Sequence, residues 1–236
     1  MPELLPGKAK MTTMIRNRRA GARAGKSATG IPITPLEAFV TGVYASLDAA
    51  IARELDWLCS EEEIIPPCKS GCSHCCRYHI MTNSAEAHTL ARYIRREMPR
   101  ALIRELRTRT RQWHEWDNSM PGRYPAARAG TRTDFTAYDH LCPLLLHGSC
   151  VAYPVRPVVC RTHFVRSHPR SCRAAHDPES DGIAPVVIRS VVEKARRFTE
   201  AIKGRIEKAG ADYSRSILLL PHWLAIEMRW DFALSG

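Results

Sequence analysis

The sequence predicts a mainly α protein, a helical domain with irregular cysteine-rich metal-binding loops and one short β-hairpin. Three observations lead there. Apolar residues recur at three- and four-residue steps through several long stretches. Two of those stretches open on capping-box signatures. The cysteines cluster in segments that Pro and Gly keep from being regular helix. The chain has 236 residues, 44% apolar and 25% charged, which is enough to bury a core and ordinary for a globular protein. No apolar run approaches the length of a membrane-spanning helix; those around residues 144–146 and 217–220 are a few residues long.

Residues 1–33 read as a basic flexible tail and residues 34–236 as the helical cysteine-cluster domain. The formal charge of +11 is concentrated in that tail, where Lys8, Lys10, Arg16, Arg18, Arg19, Arg23 and Lys26 face Glu3 alone. Such a tail offers a contact for nucleic acid or an acidic membrane surface. A solvated extension is the preferred reading, because no aromatic residue interleaves the charges. An organelle-import peptide has a similar composition. No apolar segment of the kind that opens a secretory signal is present, so a cytoplasmic location is expected.

From Pro35 the pattern becomes helical. Leu36, Phe39, Val40, Val43, Leu47, Ile51, Leu55 and Leu58 share one face, with Asp48, Arg53, Glu54 and Asp56 mostly on the other. Thr34 is the expected N-cap, Pro35 the first helical residue and Glu37 the partner in a capping box. Residues 61–77 should be a loop, since Pro66–Pro67 and Gly71 interrupt it. A second helix should start near Asn83, again with Glu86 three residues on, and carry Ala87, Leu90, Ala91, Ile94 and Met98. Pro99 breaks or kinks it before Leu102, Ile103, Leu106 and Trp113 continue the period. The arginines crowding this stretch, from Arg92 to Arg111, read as a solvated face.

Residues 120–132 read as a surface loop. Two short apolar runs around His147–Gly148–Ser149 then signal a hairpin. Pro157 should open a short helix bearing Cys160 and Arg161. Ile183, Val187, Val191, Phe198, Ile202 and Ile206 outline a further helix ended by Gly210, and a last one should cover residues 221–234.

Seven of the nine cysteines carry the chemistry. Cys68-x3-Cys72-x2-Cys75-Cys76 is followed by Cys142-x7-Cys150-x9-Cys160. Short intervals let successive thiolates converge on one centre, and four thiolates suit tetrahedral zinc or an iron–sulfur cluster. More sulfurs are present than one zinc needs, so a cluster, a cluster plus zinc, and a multinuclear centre all stay open. Thiolates around a divalent metal carry net negative charge. Lys69, Arg77, Arg156 and Arg161 are placed to offset it, and Gly71 to let a backbone N–H approach a sulfur. Arg156 and Arg161 are the candidate cofactor-binding side chains. Cys59 and Cys172 fall outside the pattern and read as plain thiols.

The run Cys-x3-Cys-x2-Cys-Cys, with Cys-Pro-Leu-Leu and Cys-Val-Ala-Tyr-Pro-Val-Arg-Pro-Val-Val-Cys-Arg after it, resembles the YkgJ-type CxxCxxCC family. The resemblance covers roughly residues 68–163. It implies a zinc- or iron-chelating or iron–sulfur protein whose ligands are Cys68, Cys72, Cys75, Cys76, Cys142, Cys150 and Cys160. Here the first interval holds three residues rather than two. A 4Fe–4S cluster is the first expectation for the cofactor, and a zinc or iron ion the alternative. The expected partner is a protein, redox or otherwise; a methylase role similar to that of flagellin lysine N-methylases is a further implication.

Cys-x3-Cys-x2-Cys is also the spacing of radical S-adenosylmethionine enzymes. Those need alternating strands and helices, whereas here the motif follows a long helix and no glycine-rich nucleotide loop follows. His74, His79 and His163 flank the cysteines as ligand or proton-relay candidates. Asp134, Asp139 and His140 could supply acid–base chemistry, though no paired partner at defined spacing supports it.

Overall fold

The computed structural model describes residues 31–69, 71–119, 140–176 and 184–232. Residues 1–30, the loop expected over 120–132, Asp134, Asp139 and the end of the last expected helix lie outside them. The described residues are mainly helical, as the periodicity predicts.

Helix α1, Pro35–Glu61, starts on the expected capping box. The Thr34 N–H donates to Glu37 Oε2 at 2.9 Å and the Glu37 N–H to Thr34 Oγ1 at 3.2 Å. Its inner face carries Val40, Leu47, Ile51, Leu55 and Leu58, together with Glu37, Tyr44 and Glu54. Glu54, expected to face solvent, is instead buried and paired with Lys194 at 2.9 Å.

Glu37 is 1% exposed and does more than cap. Arg96 reaches its Oε1 at 2.6 Å and Arg92 its Oε2 at 3.0 Å, which ties α1 to helix α2, Ser84–Glu97. Burial pushes the Glu37 carboxyl up, but the hydrogen bonds from Thr34, Arg96 and Arg92 outweigh it and hold it below its ordinary value of 4.5. A lowered carboxyl stabilises the fold above the unfolded pKa and loses that contribution as pH falls through the folded one. Glu37→Gln is therefore expected to cost about 2–3 kcal/mol at pH 7. In urea titrations the gap between wild type and variant should narrow once pH drops below 4.5; a gap independent of pH would contradict the ion-pair account.

Pro99 breaks the second helical stretch into α2 and α3, Arg100–Ser119. The arginines there are not one solvated face. Arg92 and Arg96 hold Glu37, Arg95 donates to the Glu227 carbonyl, and Arg109 donates to the Pro143 and Leu145 carbonyls at 3.1 and 2.6 Å. Arg100, Arg104, Arg107 and Arg111 are exposed.

Among the described residues two minimal antiparallel pairs of strands occur. Strands β2, Leu145–Leu146, and β3, Ser149–Cys150, form the expected hairpin, with His147 at φ 48° and Gly148 at φ 75°. Both turn residues are left-handed, which matches the twist of a two-residue hairpin and favours Gly at the second position. Strand β1, Met81–Thr82, pairs with β4, Leu218–Leu219, a contact the sequence does not signal.

The remaining helices are short: α4, Val158–Thr162; α5, Pro169–Ala174; α6, Arg189–Lys194; α7, Arg196–Lys208; and α8, Leu220–Met228. Of the helix expected from Ile183 to Ile206, Ile183 lies outside the described residues; from residue 184 on, the helix begins at Arg189 and turns at Ala195. Val187 pairs instead with Val165 in an isolated bridge. Gly210, at φ 82°, ends α7 as expected. Helix α1 packs against α2, α6 and α7, and α8 covers α2 and α3. One apolar cluster runs through these contacts, from Val40 and Leu47 to Leu90, Ile94, Leu106, Phe198, Ile202 and Leu224. It forms the frame on which the cysteine loops rest.

Candidate metal centre

The first cysteine group lies between α1 and β1. The Cys72 N–H donates to the Lys69 carbonyl at 3.0 Å, and Gly71 adopts φ 84°. That conformation is the reason for glycine here: a side chain would be strained by the backbone alone. A 3₁₀ turn, His74–Arg77, then carries Cys75 and Cys76 side by side.

The second group is brought onto the first by backbone bonding. The Cys142 N–H donates to the Cys76 carbonyl at 2.8 Å. Arg109 of α3 grips Pro143 and Leu145 on either side of Leu144, and the hairpin returns the chain so that Cys150 stands opposite Leu145. A 3₁₀ turn, Tyr153–Val155, leads into α4, which presents Cys160. All seven predicted cysteines are half-buried, and none of them is in a disulfide.

Their electrostatics record their proximity. The Cys76 thiol donates toward Cys75, which holds Cys75 low and Cys76 high. Burial, then the neighbouring Cys150, pushes Cys142 up to about 12. Cys160 is also pushed well up, by burial and then by Cys142, Cys150 and Cys75. These thiols raise one another because their negative forms repel at short range. A cation among them would reverse that sign, since thiolate ligands are stabilised by the metal they bind. The donor set is thus chemically suited to a thiophilic metal. Among the described residues no three His, Cys, Asp or Glu side chains already stand as the ligands of one ion.

The two candidate arginines behave differently. Arg156 stacks over the Tyr153 ring at 3.7 Å, and its charge eases ionisation of Cys75, Cys150 and Cys160. Arg161 is 2% exposed. It donates to Asp48 at 2.6 Å, to the Arg156 carbonyl at 2.8 Å and to the Pro154 carbonyl, with its guanidinium over the Tyr44 ring at 4.0 Å. Its hydrogen bonds go to α1 and to its own loop, while its charge is still felt at Cys150.

Cys68 and Cys72 lie towards Cys172, which the sequence pattern left aside. Burial, then Cys68, Cys72 and Cys75, pushes the Cys172 thiol up to about 11. The Val165 N–H donates to Cys68 Sγ at 3.5 Å, a contact of the kind that tunes a thiolate ligand. Nearby, the Tyr78 ring meets His163 at 5.3 Å and His176 at 4.7 Å between centroids. The Nε2 of His163 is buried without a hydrogen-bond partner, and burial lowers its basicity. Cys59 sits on α1.

A separate aromatic cluster gathers His79, Trp113, His114, Trp116, His140 and His222 around Asp117, which is 1% exposed and contacts His222 at 3.4 Å. His79 and His140 were singled out by their nearness to cysteines. Asp117, His114 and His222 were not, although Trp113-His114-x-Trp116-Asp117 on one helix was a readable signal.

The fold and the site together define a mainly helical protein with its thiols gathered where two loops meet. Comparison with protein-family models, with curated proteins and with solved structures finds nothing that matches this chain.

Proposed function

We propose that this chain is a metal-binding protein whose clustered cysteines hold an iron–sulfur cluster, with a thiolate-bound iron or zinc ion as the simpler occupant. The observation that carries the reading is the Cys142-to-Cys76 backbone hydrogen bond, which joins two cysteine groups remote in sequence. The resemblance to the YkgJ-type family points the same way. Loading would draw the sulfurs inward through irregular loops, which can adjust without disturbing the helices. A bound cluster would supply electron transfer or Lewis acidity. The chain's own part is to hold the thiols together, to offset their charge with Arg156, and to leave each partly open to solvent. We assign the protein to a reducing, cytoplasmic setting with a redox or substrate protein as partner.

A second reading is a zinc-stapled interaction module. The exposed Arg100, Arg104, Arg107 and Arg111 on α3 favour it, since they offer a basic face to RNA, DNA or an acidic protein. Anaerobic purification with metal analysis decides between the two. Iron, acid-labile sulfide and a broad visible absorption are the expected result. A colourless protein with stoichiometric zinc would overturn the cluster in favour of the module. Cys160→Ser should reduce the metal content; full loading in that variant would contradict a shared site.

A further inference from the structure

Four arginines of α3 stand in a straight row that the fold does not use. With about 100° of turn and about 1.5 Å of rise per residue, Arg100, Arg104, Arg107 and Arg111 fall within about 60° of one another around the helix and spread over about 16 Å along it. All four are exposed. Among the described residues, only Arg111 of the four has an ion-pair partner, Glu115 at 3.6 Å, and both of those side chains are more than half exposed. Like charges one turn apart on a helix repel, so stability does not account for the row.

Three of the four share a concavity with the end of the chain. Arg229, at φ 55°, ends α8 and turns the backbone, and the Trp230 N–H donates to the Ala225 carbonyl at 2.9 Å. Phe232 is thereby laid on His114 of α3, with ring centroids 5.3 Å apart, and meets Trp230 at 6.0 Å. Arg104, Arg107, Thr108, Arg111, Asp231 and Phe232 line a cavity of about 310 Å³. It offers three guanidinium groups, a hydroxyl, one aromatic ring held by two others, and a single carboxylate. Among the described residues no ion pair joins Asp231 to these arginines.

We propose that this face of α3 binds single-stranded RNA, with the arginine row on successive phosphates, an unstacked base on the Phe232 ring and a ribose 2′-hydroxyl donating to Asp231. This rests on the basic face of the second reading above and does not depend on the metal. A row of cations suits a polymer with one charge per repeat, and Arg100 carries the row past the cavity, where a mononucleotide would not reach it. An acidic peptide brings carboxylates but no π face for Phe232. A duplex keeps its bases stacked away from that ring. Asp231 would repel a polyanion unless a donor met it, and the 2′-hydroxyl is the sugar donor that RNA has and DNA lacks.

The test is fluorescence anisotropy on the full chain with labelled oligouridylate of about 12 nucleotides, the matching deoxyuridine oligomer, and polyglutamate. Wild type should prefer oligouridylate. The double variant Arg104→Gln/Arg107→Gln should weaken that binding by at least about tenfold and make the slope of log K against log salt shallower by about 1.4. Phe232→Leu, which keeps an apolar contact on His114, should weaken it by about fivefold or more with the slope unchanged. Asp231→Ala should narrow the preference for RNA over DNA. Equal wild-type affinity for the two oligomers would overturn the inference. So would an arginine variant that binds as wild type does, since the contact would then be the basic residues of 1–33, which every variant keeps. Binding of polyglutamate without oligouridylate would overturn it and leave the interaction-module reading intact; binding of none of the probes would overturn both. The arginine variant changes exposed side chains only, so the result does not depend on whether Phe232→Leu folds.

Discussion

Glu86→Ala is expected to destabilise the protein by about 3–5 kcal/mol, an amount in keeping with stripping a buried, multiply hydrogen-bonded charge from its partners. The Glu86 side chain is 4% exposed and accepts four hydrogen bonds. Tyr44 of α1 and the Val158 N–H at the start of α4 donate to Oε1 at 3.0 and 2.7 Å. Thr82 of β1 and the Asn83 side chain donate to Oε2 at 3.1 and 2.7 Å. One carboxylate thus joins α1, β1, α2 and the helix that presents Cys160. For a chain of this size the loss should lower Tm by on the order of 10 °C, measurable by calorimetry or circular dichroism. Glu86→Gln tests the same network more finely. Val158 and Asn83 offer N–H groups to opposite ends of the carboxylate, so a glutamine NH₂ opposes one of them in either orientation, at a cost of about 1–3 kcal/mol. Burial pushes the Glu86 carboxyl up, and its hydrogen bonds offset only part of that. A raised carboxyl contributes most below the unfolded pKa of 4.5 and loses that contribution as pH rises through the folded value, the reverse of Glu37. A loss below about 1 kcal/mol for Glu86→Ala would refute the central role given to this carboxylate.

Glu86 also shows what was legible in the sequence. That Asn83 caps α2 could be read locally, because capping involves residues three apart, and the Asn83 side chain does accept from the Glu86 N–H. That the Glu86 carboxylate turns inward could not, because its partners Tyr44 and Val158 are remote in sequence. The same holds for Glu37 and Glu54, polar residues on the inner face of α1, where a stripe read from apolar residues alone leaves gaps. The hairpin at His147–Gly148 was readable because the turn dictates its own chemistry. The pairing of β1 with β4 was not, since two-residue strands carry no alternation to detect. At the thiol site the motif intervals are local and readable, whereas the packing of the short helix α5 against the Cys75–Cys76 turn is made only by folding. The cluster around Asp117 has one readable part, Trp113 to Asp117 on a single helix, but draws His79, His140 and His222 from separate segments that only folding brings to it.

Arg161 is where function expected from sequence and role found in structure part most clearly. A cation one residue from Cys160 suggests charge compensation, but its hydrogen bonds make it a positioning residue for the loop that carries Cys150 and Cys160. Arg161→Ala should cost about 3–5 kcal/mol. Little of this comes from Asp48, whose side chain is 48% exposed and is rehydrated once released. The larger share comes from the half-buried Arg156 carbonyl, which loses its donor at about 1–3 kcal/mol, and from the stacking on buried Tyr44, worth about 2 kcal/mol where desolvated; Pro154 is exposed, so water can replace the donor at its carbonyl. Arg161→Lys separates position from charge. An ammonium keeps the charge but cannot span three acceptors in one plane, so about half of the loss should remain. Arg156→Gln is the comparator: it removes the cation whose charge eases ionisation of the thiols, and should alter metal retention against a chelator while leaving urea stability within about 1 kcal/mol of wild type. If Arg161→Lys were as stable as wild type, charge alone would account for Arg161 and the positioning role would be refuted. If it is destabilised while Arg156→Gln is not, the two arginines of the Tyr153–Arg161 stretch divide the work, one holding the loop in place and the other serving the sulfurs.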